Sequence, residues 1–250
     1  MIRLSVVVPV YNERELVRAC LSSLRGALEE LELEAEVVVV DDASRDGAAS
    51  LVLREFPEVR CLVNETNQGF ARAANRGMRA AKGELLLLLN SDTEVTAQAL
   101  TCLLDFLQGH PDYAGVAPRL VDLDGATQES LMAFPGLRTA ACFGTPLERW
   151  WPDSPELQRY FLRDLDPLQS CDAVQPPAAA WLLRRSAWDE VGEFDEGLEL
   201  FFNDVDWCLR LQGAGGRLRY LADAAVVHHG GASTRHRPDF VPRWQGDRLR

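Results

Sequence analysis

Short apolar runs alternate with segments of helical spacing along the first half of the chain. Four runs rich in Val and Leu, with little polar alternation, lie at 4–10, 35–42, 59–65 and 84–92. Runs of this kind are typical of strands that are covered on both faces. Between them, apolar residues recur at every third or fourth position, which predicts helices over 13–33, 44–56 (opened by Ser44) and 69–81. This order predicts an α/β fold with a mostly parallel central sheet and helices on both faces.

The regular pattern weakens in the second half. After a predicted helix over 97–110 and a strand over 114–122, residues 124–177 carry Pro, Trp and Asp with no clear period. Long irregular segments within compact domains usually form functional loops or lids. Ordered signals then return, with strands over 178–185 and 217–229 and helices over 186–194 and after Asn203. We therefore divide the chain into one half over 1–123, a second half of the same domain over 124–235 and a basic tail over 236–250.

Composition and charge exclude several classes of protein. The 250 residues suffice for a compact domain, and a net charge of −12 argues against a nucleic-acid partner, because a phosphate backbone attracts a basic surface. The six cysteines form no C-x-x-C pair, so we expect free thiols in a reducing cytoplasm. The chain opens on a strand-like run rather than a secretory signal, and no apolar run approaches the ~20 residues of a transmembrane helix.

The basic tail allows two interpretations. From Arg235 onward it carries five arginines against two aspartates, with Phe240, Val241 and Trp244 among them. This composition is compatible with peripheral contact at the inner face of a membrane. Two prolines interrupt any amphipathic helix there, which favours a flexible surface tail.

Polar and acidic side chains follow three of the predicted strands. They are Tyr11, Asn12 and Glu13, then Asp41 and Asp42, then Asn90, Ser91 and Asp92. A single aspartate after a strand is most often a turn residue or helix cap, but three such groups at the carboxyl edge of one sheet would converge on a ligand cleft. An acidic rim can hold a diphosphate only through a divalent cation, which makes Asp92 a candidate metal ligand. The pair Asp41 and Asp42 could accept hydrogen bonds from a nucleobase or a ribose.

Two further motifs carry candidate chemistry. In "VVHHGGAS", His228 or His229 follows a strand, and a neutral imidazole could complete a metal shell of aspartate and phosphate. In "FFNDVDW", Asp204 and Asp206 follow two phenylalanines and could be helix caps, metal ligands or a catalytic base. The G-x-G of "GAGGRL" follows a helix and precedes a strand, the reverse of a dinucleotide-binding fingerprint.

The ordered series of motifs resembles the family 2 glycosyltransferases, in particular their rhamnosyltransferase-like branch. The resemblance covers most of residues 3–235 and runs through "VVVPVYNE", "VVVVDDASRDG", "NQGFARAANRGMRAAKGELLLLLNSDTEV", "WLLRRSAWDEVGEFDE" and "FFNDVDWCLRLQGAGGRLRYLADAAVVHHGGAS". It implies a GT-A fold, with 1–123 as the nucleotide-sugar-binding half and 124–235 as the acceptor-binding and catalytic half. The chain departs from the family pattern twice: Asn90 replaces the first acid of the D-x-D, and Asn203 replaces the Glu before the base.

The resemblance also implies a role for each matching residue. The nucleotide would be bound by Pro9, Tyr11, Glu13, Asp41, Asp42 and Ser91. Asp92 and His228 would hold Mg²⁺ or Mn²⁺ on the diphosphate, with His229 as the alternative histidine. Asp204 would be the catalytic base, and the acceptor side would include Asn203, Trp181 and Asp206.

The reaction that the resemblance implies is inverting transfer of a sugar from dTDP-rhamnose or a UDP-hexose to a hydroxyl of a cell-surface polysaccharide or lipid-linked saccharide. An aspartate with an ordinary pKa of ~4 is ionised at neutral pH and can take the proton of the acceptor hydroxyl. Phe201 and Phe202 would exclude water from the donor. Asp206 would lie in the first helical turn, where its charge meets the positive end of the helix.

Three alternatives from other classes remain open at this point. A receiver domain needs a late lysine at a strand end, but Lys82 precedes the fourth strand. A sugar nucleotidyltransferase needs a basic, Gly-rich loop after its first strand, where this chain has "PVYNERE". A non-catalytic glycan- or partner-binding relic of the same fold is supported only by Asn90 and Asn203.

Overall fold

The computed structural model describes residues 3–143, 145–198 and 202–230. Within these ranges the strands are β1 (Leu4–Val10), β2 (Ala35–Asp41), β3 (Arg60–Val63), β4 (Leu85–Leu89), β5 (Thr93–Glu94), β6 (Gly115–Val121), β7 (Cys171–Ala173), β8 (Ala180–Arg184) and β9 (Leu218–His228). The helices are α1 (Arg14–Glu30), α2 (Ala48–Glu55), α3 (Phe70–Ala80), α4 (Ala97–Gly109), α5 (Leu137–Cys142), α6 (Pro146–Trp150), α7 (Pro155–Tyr160), α8 (Arg185–Val191) and α9 (Asn203–Gly213).

One mixed sheet organises both halves of the chain. Its strand order is β3-β2-β1-β4-β8-β6-β9-β5, and β7 pairs with β9. The first four strands are parallel, β8 runs antiparallel to both of its neighbours, and β9 runs parallel to β6. The carboxyl ends of β1, β2, β4 and β9 therefore meet at one edge, together with the start of β8. This edge is where ligands bind in sheets of this class.

Helices cover both faces of the sheet, which confirms the α/β prediction. On one face, β1 and β4 pack against α1, α2 and α4 through side chains such as Leu24 and Leu100, both buried. On the other face, α3, α8 and α9 pack through Met78, Trp188 and Trp207. Gly77 lets α3 lie close to the sheet, because a Cβ at that position would be only 2.3 Å from Cγ1 of Val7. The runs of β1 and β4 have no polar alternation because both of their faces are buried. The prediction of burial on both faces is wrong for β3, which lies at the edge of the sheet and is partly exposed.

The predicted strands and helices of the first half are confirmed, with one exception at Ser44. Helix α2 begins at Ala48, after Gly47 in a left-handed conformation with φ of 88°. Ser44 does not open the helix; its N–H donates to Oδ2 of Asp41 (3.1 Å), and its Oγ accepts from the N–H of Asn12 (2.9 Å). The serine therefore joins the loops that follow β1 and β2.

The segment over 124–177 is less irregular than its sequence indicates. It contains the short helices α5, α6 and α7 and the three-residue strand β7. Prolines at the starts of α6 and α7 and serine or threonine caps fix these short helices. The two-residue strand β5 was also not predicted, because it is too short to show a period.

All six cysteines are free thiols in the structure. No helix in the described ranges is both long and apolar enough to cross a bilayer. The basic tail over 236–250 lies outside the described residues.

Candidate active site

A cavity of about 330 Å³ opens at the carboxyl edge of the sheet. Ten of the residues predicted from the sequence line it: Pro9, Tyr11, Glu13, Asp42, Ser91, Asp92, Phe202, Asn203, Asp204 and His228. Asp41, Trp181 and Asp206 are not among its lining residues. The strand ends named in the sequence thus converge on one cleft, and Asn203 and Asp204 at the start of α9 line it as well.

Asp42 holds the loop that forms one wall of the cavity. Its carboxylate accepts hydrogen bonds from Nδ2 of Asn64 (2.6 Å), from the N–H of Gln68 (2.9 Å) and from the N–H of Gly69 (2.8 Å). The guanidinium of Arg76 in turn donates to Oδ1 of Asn64. Asp42 is therefore buried with its oxygens occupied, and it fixes the entry to α3.

Asp41 is the last residue of β2 and does not line the cavity. Its side chain is buried, and burial raises the pKa of this carboxyl above its ordinary value, against the hydrogen bonds from Ser44. Within the described residues, Oδ1 has no hydrogen-bond partner. Asp42 therefore lines the cavity, whereas Asp41 lies beneath the loop that follows β2.

Glu13 and Ser91 join the ends of β1 and β4. The hydroxyl of Ser91 donates to the Glu13 carboxylate, and both residues are buried. This contact fixes two loops of the cavity relative to each other.

Asp92 and His228 face each other where β5 pairs with the end of β9. Oδ1 of Asp92 lies 3.5 Å from Nε2 of His228. Gln128 orients the imidazole: its Nε2 donates to the backbone oxygen of His228 (2.6 Å), and its Oε1 is 2.8 Å from Nδ1 of His228. The amide oxygen can only accept, so Nδ1 carries a proton. In the neutral ring, Nε2 then presents a lone pair towards Asp92.

Two acceptors that face each other in this way suit a cation placed between them. Carboxylate oxygen and imidazole nitrogen are ligands for Mn²⁺, and a proton on the other ring nitrogen is the usual arrangement for a metal-binding histidine. The described residues contain no cluster of three or more His, Cys, Asp or Glu side chains able to hold a metal. The protein would thus supply two ligands and leave the others to substrate and water. His229 turns elsewhere, with Nε2 only 2.7 Å from Oε1 of Glu94.

Asp204 enters the cavity from the first turn of α9. Its Oδ1 accepts from the N–H of Val205 (2.9 Å), and its Oδ2 accepts from the N–H of Ala178 (3.3 Å). Burial raises the pKa of Asp204 above its ordinary value, and these backbone hydrogen bonds oppose the rise. The residue that precedes the helix is Phe202, in a left-handed conformation with φ of 63°. Asp204 is therefore not the helix cap, and its carboxylate is directed at the cavity.

Asp206 lies on another face of the same helical turn. Its Oδ2 is 2.8 Å from Nη2 of Arg210. The same guanidinium donates to the backbone oxygen of Val191 through Nη1 and to that of Glu193 through Nη2. The prediction that Asp206 lies in the first turn is confirmed. Because the carboxylate is engaged with Arg210 outside the cavity, its placement does not fit an acceptor contact.

The other residues predicted for the acceptor side differ in their placement. Asn203 is buried in the cavity wall, and its Nδ2 donates to the backbone oxygen of Leu198 (2.7 Å). Trp181 is fully buried in β8, with its ring centroid 5.4 Å from that of Trp207. Trp181 presents no surface to an acceptor, and we remove it from the acceptor site. Phe202 lines the cavity as predicted, and Phe201 lies outside the described residues.

Sequence reasoning missed Gln128 and Tyr160. Both belong to the segment without a clear period, and Gln128 meets His228 across 100 positions of the chain. Burial raises the pKa of Tyr160 to about 12, and the nearby charge of Asp204 adds to the rise. The charge of Asp204 therefore reaches Tyr160 of α7.

Comparison with known sequences agrees with these features. The profile of the family described as "Glycosyl transferase family 2" matches residues 5–192. The N-acetylglucosaminyl-diphospho-decaprenol L-rhamnosyltransferase of Mycobacterium tuberculosis is 29% identical over 247 residues, which cover 94% of this chain and 78% of that protein. The pre-mycofactocin glycosyltransferase of the same species is 31% identical over 90% of this chain, but the match spans only 42% of that protein.

Solved structures share the fold. TarS 1–349 of S. aureus in complex with UDP superposes with a TM-score of 0.60 at 22% identity, over 90% of this chain and 60% of that one. The mannosyltransferase PcManGT of Pyrobaculum calidifontis, in complex with GDP-Man and Mn²⁺, gives a TM-score of 0.62 at 20% identity, over 94% and 59% of the two chains. These neighbours confirm the GT-A fold.

Proposed function

This chain belongs to glycosyl transferase family 2, and we propose that it transfers a sugar from a nucleoside-diphosphate donor to a hydroxyl of a lipid-linked or cell-surface saccharide, with Asp204 as the base. Family membership makes it a glycosyltransferase that uses a nucleotide sugar. The observation that carries the finer proposal is the meeting of Asp204, Asp92 and His228 in one cavity of about 330 Å³.

The donor that we propose first is dTDP-rhamnose, with a UDP-hexose as the second choice. The rhamnosyltransferase relative from M. tuberculosis supports a deoxyhexose donor, and its name also supports an acceptor carried on a diphosphate lipid. The neighbour that holds UDP supports a pyrimidine nucleotide. We place the reaction on the cytoplasmic side of the membrane, where nucleotide sugars would reach the open cavity.

The nucleotide would lie against the loops that follow β1 and β2. Pro9, Tyr11 and the loop fixed by Asp42 would form the base and ribose end. Asp42 would act mainly through that loop, because its oxygens already accept three neighbouring donors. Glu13 and Ser91 would hold the floor of the pocket between the two strand ends.

Asp92 and His228 would hold a divalent cation, Mg²⁺ or Mn²⁺, beside the donor diphosphate. The bound cation would supply Lewis-acid stabilisation of the negative charge on the leaving diphosphate. The neighbour that contains Mn²⁺ supports this assignment, as does the lone pair that Gln128 directs towards Asp92. Between the two candidate histidines, His228 fits the role and His229 is engaged by Glu94.

Asp204 would remove the proton of the acceptor hydroxyl. As that oxygen forms a bond to the anomeric carbon, the bond from the same carbon to the diphosphate breaks on the opposite side, and the nucleoside diphosphate leaves with both bonding electrons. A single displacement of this kind inverts the anomeric configuration. Burial raises the pKa of Asp204 and so makes its carboxylate a stronger base. Phe202 would shield the reacting carbon from water.

Calorimetric titration with UDP, dTDP and GDP, with and without Mn²⁺, tests the proposed donor site. We expect Mn²⁺-dependent binding of a pyrimidine nucleotide to the wild type and a loss of about tenfold or more in Asp92→Ala. Asp105→Ala, at an exposed position on α4, is the matched control and should bind as the wild type does. Absence of nucleotide binding under every metal condition would overturn the proposed donor site, and equal binding by Asp92→Ala would overturn the metal assignment.

A further inference from the structure

A second cavity, of about 190 Å³, lies outside the proposed active site. We call it the 127–167 cavity, because residues 127–131 line one wall and residues between 161 and 167, which follow α7, line the other. No described residue lines both this cavity and the active site. The N–H of Ala133 donates to the backbone oxygen of Tyr160 (2.8 Å), which joins the two chain segments. The cavity is therefore a formed part of the fold.

Ser130 gives this cavity an unsatisfied hydrogen-bonding group. The residue lines the cavity and is only 4% exposed, yet its Oγ has no hydrogen-bond partner within the described part of the chain. Buried polar groups are normally paired, because an unpaired group has lost its hydrogen bonds to water without replacement. One water molecule would satisfy the hydroxyl but would fill only a small part of a cavity of this size. A hydroxyl can both donate and accept, so it suits a ligand that itself carries hydroxyl groups.

The charges around the cavity favour a neutral ligand. Among its described lining residues, the charged side chains are Glu129 and Arg163, and they form an ion pair in which Nε of Arg163 is 2.8 Å from Oε1 of Glu129. Asp153 lies 3.6 Å from the same guanidinium, and Asp164 and Asp166 follow it in the chain. Carboxylates therefore outnumber the guanidinium here, which disfavours an anionic ligand, and a single lining carboxylate is too few for a divalent cation.

The rest of the lining is largely apolar. It includes Leu131, Leu162 and Leu165, together with Phe161. A pyranose ring has the matching chemistry, because its C–H groups form apolar faces and its hydroxyls surround the edge. The leucine and phenylalanine side chains would contact the C–H groups, and the serine hydroxyl and the ion pair would bind the hydroxyls.

The 127–167 cavity is linked to the proposed active site through single residues. Gln128 lines the cavity, and its side chain is bonded to His228, which lines the active site. At the other wall, Phe161 directly follows Tyr160, whose pKa is raised by burial and by the charge of Asp204. A ligand in this cavity would thus contact the residue that orients the proposed metal ligand.

We propose that the 127–167 cavity binds a neutral pyranose ring of a saccharide, separately from the sugars that react. Saccharides are the substrates of the family to which this chain belongs. Two sources carry such a ring: a non-reacting sugar of the acceptor, or a separate glycan. The assignment to the acceptor rests on the proposed function, and the binding itself does not.

Nuclear magnetic resonance of the full chain, labelled with ¹³C at its leucine methyl groups, tests the binding without nucleotide, metal or turnover. The probes are methyl α-L-rhamnopyranoside and methyl N-acetyl-β-D-glucosaminide. We expect at least one of them to give saturable shifts of the Leu131, Leu162 and Leu165 methyl resonances, and its affinity to fall about three- to tenfold in Ser130→Ala. Ser22→Ala, at an exposed position on α1, is the control and should bind as the wild type does.

The stability of Ser130→Ala separates a ligand-binding role from a structural one. The substitution removes a buried hydroxyl that has no partner, so the melting temperature of the free protein should stay the same or rise. A lower melting temperature would show that the hydroxyl stabilises the fold, and it would overturn the assignment of this hydroxyl to a ligand.

Transfer assays distinguish the two sources of the ring. With acceptors of one and of two sugars on the same lipid, Ser130→Ala should lower kcat/KM for the two-sugar acceptor alone if the ring belongs to the acceptor. It should lower kcat/KM for neither if the ring belongs to a separate glycan.

Two results of the titration would overturn the proposal. One is that neither glycoside shifts the three leucine methyl resonances, and the other is that Ser130→Ala binds the glycoside as tightly as the wild type does. Because the titration uses no nucleotide, either result would leave the proposed donor site untouched.

Discussion

The two ends of the cavity hold their carboxylates in different ways. At the nucleotide end, Asp42 accepts from the side chain of Asn64 and from the backbone of Gln68 and Gly69, all within 3.0 Å. At the catalytic end, Asp204 accepts from two backbone N–H groups, and burial raises its pKa. One carboxylate is occupied in holding a loop, and the other retains a high affinity for a proton.

This difference assigns nucleotide binding to the Asp42 end of the cavity and proton transfer to the Asp204 end. A carboxylate whose oxygens are all engaged forms a rigid wall, which lowers the entropic cost of binding a nucleotide. A carboxylate in a partly desolvated place is a stronger base, which suits it to take a proton from an acceptor hydroxyl. Substitutions at the two ends should therefore affect different measurements.

Asp42→Asn should have the largest effect on stability. The amide has one acceptor oxygen for three neighbouring donors, so buried N–H groups lose their partner. We expect the free energy of unfolding to fall by about 1–3 kcal/mol and nucleotide affinity to fall about tenfold. Denaturant unfolding and calorimetry measure the two quantities. Glu65→Gln, at an exposed position in the same loop, is the control, and an unchanged affinity in Asp42→Asn would contradict the role of the loop.

Gln128→Leu should weaken the cation site without disturbing Asp42 or Asp204. Without the amide, the imidazole of His228 loses the partner that fixes its proton on Nδ1. We expect Mn²⁺ affinity in the presence of nucleotide to fall about 10- to 100-fold, as measured by the electron paramagnetic resonance of free Mn²⁺. Gln128→Glu keeps an acceptor for Nδ1–H and should restore part of the affinity. If leucine at position 128 leaves Mn²⁺ binding intact, the amide has no part in the site.

The raised pKa of Asp204 predicts that Asp204→Asn changes stability less than Asp42→Asn does. The folded state binds the Asp204 proton more tightly than the unfolded state, so this residue lowers stability as pH rises from the ordinary value of 3.8 through the raised pKa. The asparagine of Asp204→Asn cannot ionise, so this variant does not lose that part of its stability as pH rises. Its melting temperature relative to the wild type should therefore increase by a few degrees between acid and neutral pH. If the difference in melting temperature between Asp204→Asn and the wild type stays constant with pH, desolvation of Asp204 is contradicted.

The sequence was sufficient to predict the strands and the convergence of their carboxyl ends, and the reason is physical. Strands buried on both faces lose their polar alternation, and parallel strands place their carboxyl ends at one edge, so Asp92 and Glu13 could be assigned to the same cleft. The assignment of Asp204 came from the resemblance, since the spacing alone left a cap, a metal ligand and a base open.

Other features of the site could not be predicted from the local sequence pattern. Trp181 was misplaced because a strand buried on both faces gives no sign of which side faces a ligand, and the structure packs this residue against Trp207. Gln128 was missed because its contact with His228 joins positions 100 residues apart. Asp41 and Asp42 look equivalent in sequence, and only the end of β2 determines which one reaches the cavity.

The most direct test of the account compares Asp204→Asn with Asp206→Asn, two isosteric changes in one helical turn. Calorimetry measures nucleotide affinity in the presence of Mn²⁺, and product formation is followed with dTDP-rhamnose and a synthetic N-acetylglucosaminyl diphosphate lipid. The account predicts that Asp204→Asn binds nucleotide within about twofold of the wild type and transfers about 10²- to 10⁴-fold more slowly, while Asp206→Asn stays near wild type in both. Transfer at the wild-type rate by Asp204→Asn, or a loss of nucleotide affinity equal to the loss of transfer, would contradict it.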